Sequence, residues 1–156
     1  MNLKEKEKAR DYALKLISYR ERSMREVEIR MQRKGCNEKL IKEILENLKF
    51  YDLINDKRFA QEWTQSRIKR GYGKRKIIFE LREKGVEEEI IKKIIKEVYA
   101  KVDEKQIAVE AVERKKISLK EKAKVYRFLA GRGFTFEIIN EVMTGAVSSG
   151  GRASAF

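Results

Sequence analysis

Val27-Glu28-Ile29-Arg30-Met31-Gln32-Arg33-Lys34-Gly35-Cys36-Asn37-Glu38-Lys39-Leu40-Ile41-Lys42-Glu43-Ile44-Leu45 is the stretch that decides the fold. Apolar side chains stand eight and four residues before the glycine, and again five, six, nine and ten after it. Steps of one, four and five keep side chains on one stripe of a helix, so the glycine sits between two amphipathic helices. It reads as the residue just past a helix end, where a left-handed backbone is needed and a side chain is penalised.

The phrase returns at Gly85 and Gly133, after separations of 50 and 48 residues. Val27, Ile77 and Val125 correspond, as do Met31, Leu81 and Leu129, and a cation precedes every glycine: Lys34, Lys84 and Arg132. Each copy has room for one more helix before the pair. Its apolar stripe is Ala9, Ala13, Leu16 and Ile17 in the first copy, Phe59, Ala60 and Trp63 in the second, and Ile107, Ala108, Ala111 and Val112 in the third. The chain is therefore expected to be all-α: three tandem three-helix repeats over residues 1–55, 56–102 and 103–143, stacked because one short unit buries little core alone. Trp63, Tyr12 and Phe59 fall on or near these stripes and are read as core plugs rather than base-stacking platforms. Residues 144–156, rich in Gly, Ser and Ala, lose the periodicity and read as a flexible tail or an appended segment.

Composition narrows the function. Of the 156 residues 40% are charged and none is proline, which suits long-solvated amphipathic helices without breakers. Histidine is absent and Cys36 is the single cysteine, leaving no ligand set for zinc and no histidine relay. Cys36 takes the place of Val86 and Phe134 and reads as a small apolar side chain. Carboxylates follow helix-surface spacing beside cations, with no phosphate loop or nucleophile motif, so neither an enzyme nor a bound cofactor is expected. No apolar run nears the ~18 residues that span a bilayer, and the expectation is a cytoplasmic protein without membrane contact.

A net charge of +13 points to a polyanionic partner. The charge is sorted. Residues 67–84 carry eight cations against two carboxylates, and residues 114–132 eight against one, giving +6 and +7. Residues 36–56 and 86–105 come to −2 and −1. Candidate contacts to a partner or DNA are Arg67, Lys69, Arg70, Lys74, Arg75, Lys76 and Arg82 in the second copy, and Arg114, Lys115, Lys116, Lys122, Lys124, Arg127 and Arg132 in the third. A basic cluster can also be no more than a solvated helix face. What favours function is the start of the middle helix. Ser23 with Glu26, and Ser118 with Glu121, read as capping boxes that satisfy orphan amides. The second copy has Gly73-Lys74-Arg75-Lys76 there, with no box and three cations opposing the helix dipole at about 0.3–1 kcal/mol each. Such a break in local rules tends to mark a functional surface.

Two helices joined at a glycine also suggest a helix-turn-helix, which would put the second helix in the major groove. Here that helix carries Glu38, Glu43 and Glu46, or Glu87, Glu88, Glu89 and Glu97, which repel phosphate. A sequence-reading DNA-binding regulator and a plain protein-interaction scaffold remain as alternatives.

Three stretches in order are similar to those of the RecX family of bacterial regulatory proteins: Tyr51-Asp52-Leu53-Ile54-Asn55-Asp56-Lys57-Arg58-Phe59-Ala60, Gly73 to Gly85, and Arg127-Phe128-Leu129-Ala130-Gly131-Arg132-Gly133-Phe134. The resemblance covers about residues 9–143. It departs at Gly131-Arg132, where the family often has paired arginines, and at Asn55, where an acidic residue is frequent. The resemblance implies a curved, elongated array, on the order of 60 Å for three units of ~20 Å helices. It further implies a monomer that lies in the groove of the RecA recombinase filament on DNA, blocks its extension and suppresses strand exchange and co-protease activity. Contact with DNA itself is expected to be weak and indifferent to sequence.

Overall fold

The computed structural model describes residues 3–145. Those residues form nine helices: α1 (Leu3–Tyr19), α2 (Met24–Arg33), α3 (Glu38–Phe50), α4 (Asp56–Lys69), α5 (Lys74–Glu83), α6 (Glu88–Tyr99), α7 (Glu104–Lys115), α8 (Lys122–Gly131) and α9 (Phe136–Thr144). They group in threes. Thr144, read from sequence as the start of the tail, closes α9 by donating its hydroxyl to Asn140 O at 2.8 Å, and the rest of that segment, 146–156, lies outside the described residues.

The three phrase glycines end the middle helices in one way. Gly35, Gly85 and Gly133 have φ of +88°, +78° and +93°, and the following residue, Cys36, Val86 or Phe134, donates its amide back to Met31, Leu81 or Leu129 at 3.1 Å. This left-handed cap satisfies carbonyls the helix would otherwise leave open, and it seats the apolar residue after the glycine on the core.

Each group of three helices encloses its own core. Ala9, Ala13, Leu16, Val27, Met31 and Leu48 fill the first, with Cys36 packed at its edge. Phe59, Ile77, Leu81, Ile91 and Ile94 fill the second, and Ala108, Val125, Leu129, Ile138 and Ile139 the third. Phe59 stacks on Trp63 with centroids 5.8 Å apart, so both rings serve packing as their stripe requires.

The expected cap at Ser23 is present: its hydroxyl accepts from Glu26 N–H, and Glu26 accepts from Ser23 N–H, both at 3.1 Å. The expected box at Ser118 is not. Lys116 leaves α7 in a left-handed conformation, Ser118 Oγ accepts from Lys120 N–H within a turn, and α8 starts only at Lys122 with no side-chain cap. The turn spends the serine one helical turn too early. The third copy thus has an open helix start, contrary to the stability expected of it.

Candidate interaction surface at the repeat junctions

The middle helices of the first and second repeats each meet the glycine turn of the repeat that follows. Between the first two repeats the contact is made by side chains. Met24 N–H, at the start of α2, donates to Asp56 Oδ1 at 2.9 Å, and Lys84 Nζ lies 3.3 Å from Glu26 Oε2. Arg20 grips the same Glu26 at 2.6 Å, and Arg58 bridges to Glu21. Burial would raise the Glu26 carboxyl, but its bonds from Arg20 and the Ser23 amide, with the charge of Lys84, hold it below the ordinary range. Asp56 goes the other way: burial pushes it up, despite the Met24 amide.

Between the second and third repeats the contact is backbone on backbone. Gly73 N–H donates to Arg132 O at 2.7 Å, and Arg75 N–H to Gly133 O at 3.0 Å. The amides of the α5 start, which lack a box, are therefore capped by the following repeat. The approach leaves no space: a Cβ on Gly73 would sit 2.4 Å from the Gly133 carbonyl carbon, and one on Gly133 would sit 2.4 Å from Lys76 Cβ. Gly71, before Tyr72, also lies close to Ala111 of α7, a Cβ there falling 3.1 Å from that methyl. The break in capping at Gly73 is in the first place a joint.

That joint relocates the predicted residues. Lys74 is buried, with Nζ 2.8 Å from Glu104 Oε1 and 4.8 Å from the Tyr99 ring centroid, so its charge serves the junction. Arg67 is also inward: it makes a paired contact with Glu80 at 2.9 and 2.6 Å, and Trp63 Nε1 donates to the same carboxylate. Arg114 and Arg132 reach across from the third repeat and donate to Lys69 O and Arg70 O at 3.1 and 3.0 Å, capping the carbonyl end of α4.

The remaining candidates face solvent. Arg82 pairs with Glu88 on the surface, and Lys124 lies 3.6 Å from Glu121. Lys69, Arg70, Arg75, Lys115, Lys116, Lys122 and Arg127 are exposed and meet no carboxylate among the described residues. Lys76 is half-buried against a ring. The ring is Tyr72, which sequence reading passed over. It carries Arg67 at 3.8 Å, Arg132 at 4.4 Å and Lys76 at 5.0 Å from its centroid. Each such contact is worth about 0.5–2 kcal/mol, and an aromatic quadrupole eases but does not cancel the mutual repulsion of three cations. Only Arg67 of the three has a carboxylate, so the junction holds positive charge from two repeats in one place. The signal in the sequence was Tyr72 itself, an aromatic between two glycines and beside three cations. Lys116, Lys122, Lys124 and Arg127 lie beyond this cluster, on the α7–α8 connection and α8.

Comparison with known proteins gives the assembly its place. The first, second and third three-helix domains of RecX match residues 9–48, 55–94 and 103–143. The chain is 38% identical over 152 residues to the regulatory protein RecX of Chlorobium limicola, covering 93% of each chain. It is 30% identical over 143 residues to that of Caldanaerobacter subterraneus, covering 92% of this chain and 73% of the relative. The fold is shared with the crystal structure of RecX from Lactobacillus salivarius, with a TM-score of 0.76 at 24% identity over 92% of this chain and 97% of that one. On these grounds the chain belongs to the RecX family of regulatory proteins.

Proposed function

We propose that this protein, acting as a cytoplasmic monomer, binds the RecA recombinase filament on DNA, restrains its extension and inhibits strand exchange and co-protease activity. Family membership supports a regulatory role. The observation that carries the finer reading is the convergence of Arg67, Lys76 and Arg132 on Tyr72, flanked by exposed Arg70 and Arg75. A cluster short of counter-charge gains by meeting phosphate or an acidic protein surface, and its contribution falls steeply with salt. Three rigidly jointed repeats then add modest contacts along an extended partner, so affinity depends on the assembled filament rather than on either component.

α3 and α6 each carry three glutamates against three lysines and so offer a major groove no net positive charge, which favours binding without sequence preference. The test uses surface residues and spares buried Lys74. Arg70→Glu with Arg75→Glu should weaken inhibition of the recombinase ATPase on single-stranded DNA about tenfold, with helicity unchanged. Undiminished inhibition by the folded double variant would remove the cluster from the mechanism. Salt-resistant binding to one duplex sequence would replace this reading with that of a DNA-binding regulator.

A further inference from the structure

Aligned on Gly35 and Gly133, the first and third repeats differ systematically at the positions that in the first repeat line a groove between the second and third helices. In the first repeat Glu28, Glu38 and Glu46 line it, with Met24 at its upper end. The residues at those positions in the third repeat are Tyr126, Phe136 and Thr144, with Lys122 in place of Met24. Three carboxylates are lost and two aromatics gained, while the one cation moves from Lys42, whose counterpart is Asn140, to Lys122. In the second repeat the same places hold Ile78, which is buried, and Glu88, which is held by Arg82.

The new aromatics are not core. Tyr126 is 41% exposed and Phe136 64%, and their rings meet edge to face with centroids 6.4 Å apart. Ala123 and Ala130, one turn either side of Tyr126 on α8, are too small to cover the rings, and the space beside Gly131 is open. Lys122 lies on the Tyr126 face, four residues before it, and Arg127 follows on the flank; both meet no carboxylate among the described residues. The acid next to the pair in sequence is Glu137. The end of this groove is also where the following repeat would stack, and α8 starts there without a cap.

We infer that Tyr126 and Phe136 form a platform on which bases of single-stranded nucleic acid stack, with Lys122 and Arg127 holding the adjoining phosphates. Flat faces beside cations, at positions where the first repeat has Glu28 and Glu38, suit a ligand that is both aromatic and anionic. A partner of purely apolar character would be served by the loss of the carboxylates but would have to desolvate Lys122 and Arg127 without pairing them, whereas an aromatic anion uses both features. The inference rests on the reading that the protein works on DNA, and adds which residues touch the strand.

The experiment compares a labelled oligo-dT with an abasic strand of equal length and charge, by fluorescence anisotropy at low salt on the full chain. Wild type should prefer the strand with bases. Tyr126→Ala and Phe136→Ala should each weaken oligo-dT binding about tenfold and leave the abasic strand unchanged. Phe136→Trp should retain the preference, and Phe136→Leu, which keeps the apolar volume, should lose it. Equal binding of both strands by wild type overturns the platform. So does a loss in the alanine variants that is the same for both strands, or no loss at all. Inhibition of the recombinase filament is read in parallel: its absence in wild type, with base preference intact, would defeat the preceding proposal and leave this one standing.

Discussion

The two junctions join equivalent parts of equivalent repeats, yet one is a latch of side chains and the other a seam of backbone. Ser23, Met24, Arg25 and Glu26 at the first become Gly73, Lys74, Arg75 and Lys76 at the second, and Lys84-Gly85 becomes Arg132-Gly133. Where serine and glutamate cap their own helix, the next repeat is held at side-chain distance, with Gly85 resting on Arg25. Where glycine removes the cap, the next repeat comes in close enough to supply it through Gly133 O. Capping in place and close stacking are thus alternative uses of one position, and the chain uses each once.

The largest effect should come from filling the seam. Gly133→Ala combines a left-handed φ with a Cβ 2.4 Å from Lys76 Cβ and 2.5 Å from its backbone nitrogen, and should cost about 4 kcal/mol in denaturant unfolding. Gly85→Ala shares the φ penalty but meets only side-chain atoms, Arg25 Cδ at 2.6 Å and Cβ at 2.8 Å, and no backbone, so its loss should be smaller by about 1–2 kcal/mol. Equal losses would mean that the two junctions are held alike.

Next comes the buried pair. Glu104→Gln leaves Lys74 charged, buried and without its carboxylate, and should lower stability by about 2 kcal/mol as measured by thermal and urea unfolding. Lys74→Met with Glu104→Gln should recover much of that loss, because the cost lies in the stranded charge rather than in a missing attraction.

The smallest effect is a pH response confined to the latch. Asp56 is raised on folding, so acidification first relieves a cost as it protonates. Glu26 is lowered, so its contribution is complete above its ordinary value of 4.5 and is lost as the pH falls through the folded value. Protection from hydrogen exchange of the Val27 amide, bonded to Ser23 O at the start of α2, should therefore rise slightly and then fall on acidification. Glu26→Gln should abolish the fall, while the Gly73 amide, bonded to Arg132 O, shows neither limb.

Much of this was readable from the chain. Period and glycine spacing located nine helices among the described residues, and Ser23 with Glu26 announced its own cap, because those interactions span three or four residues. Gly73 to Lys76 was misjudged for a physical reason. Its amides and its first lysine have partners in the next repeat, and a local rule sees an uncapped, cation-laden start where the folded chain has Gly133 O and Glu104. Tyr72 was missed likewise, since Arg132 reaches its ring only after the repeats have stacked. Ser118 erred in the opposite sense: its local pattern was sound, but the left-handed Lys116 redirected the chain.

Donation of caps from one repeat to the one before gives the molecule a direction. The α2 start is completed by Asp56 and the α5 start by Gly133, both of which are synthesised later. During translation the first and second units each emerge unfinished and are sealed by their successor, so truncation from the carboxyl end should loosen the repeat that remains, whereas truncation from the amino end should leave its neighbour sealed.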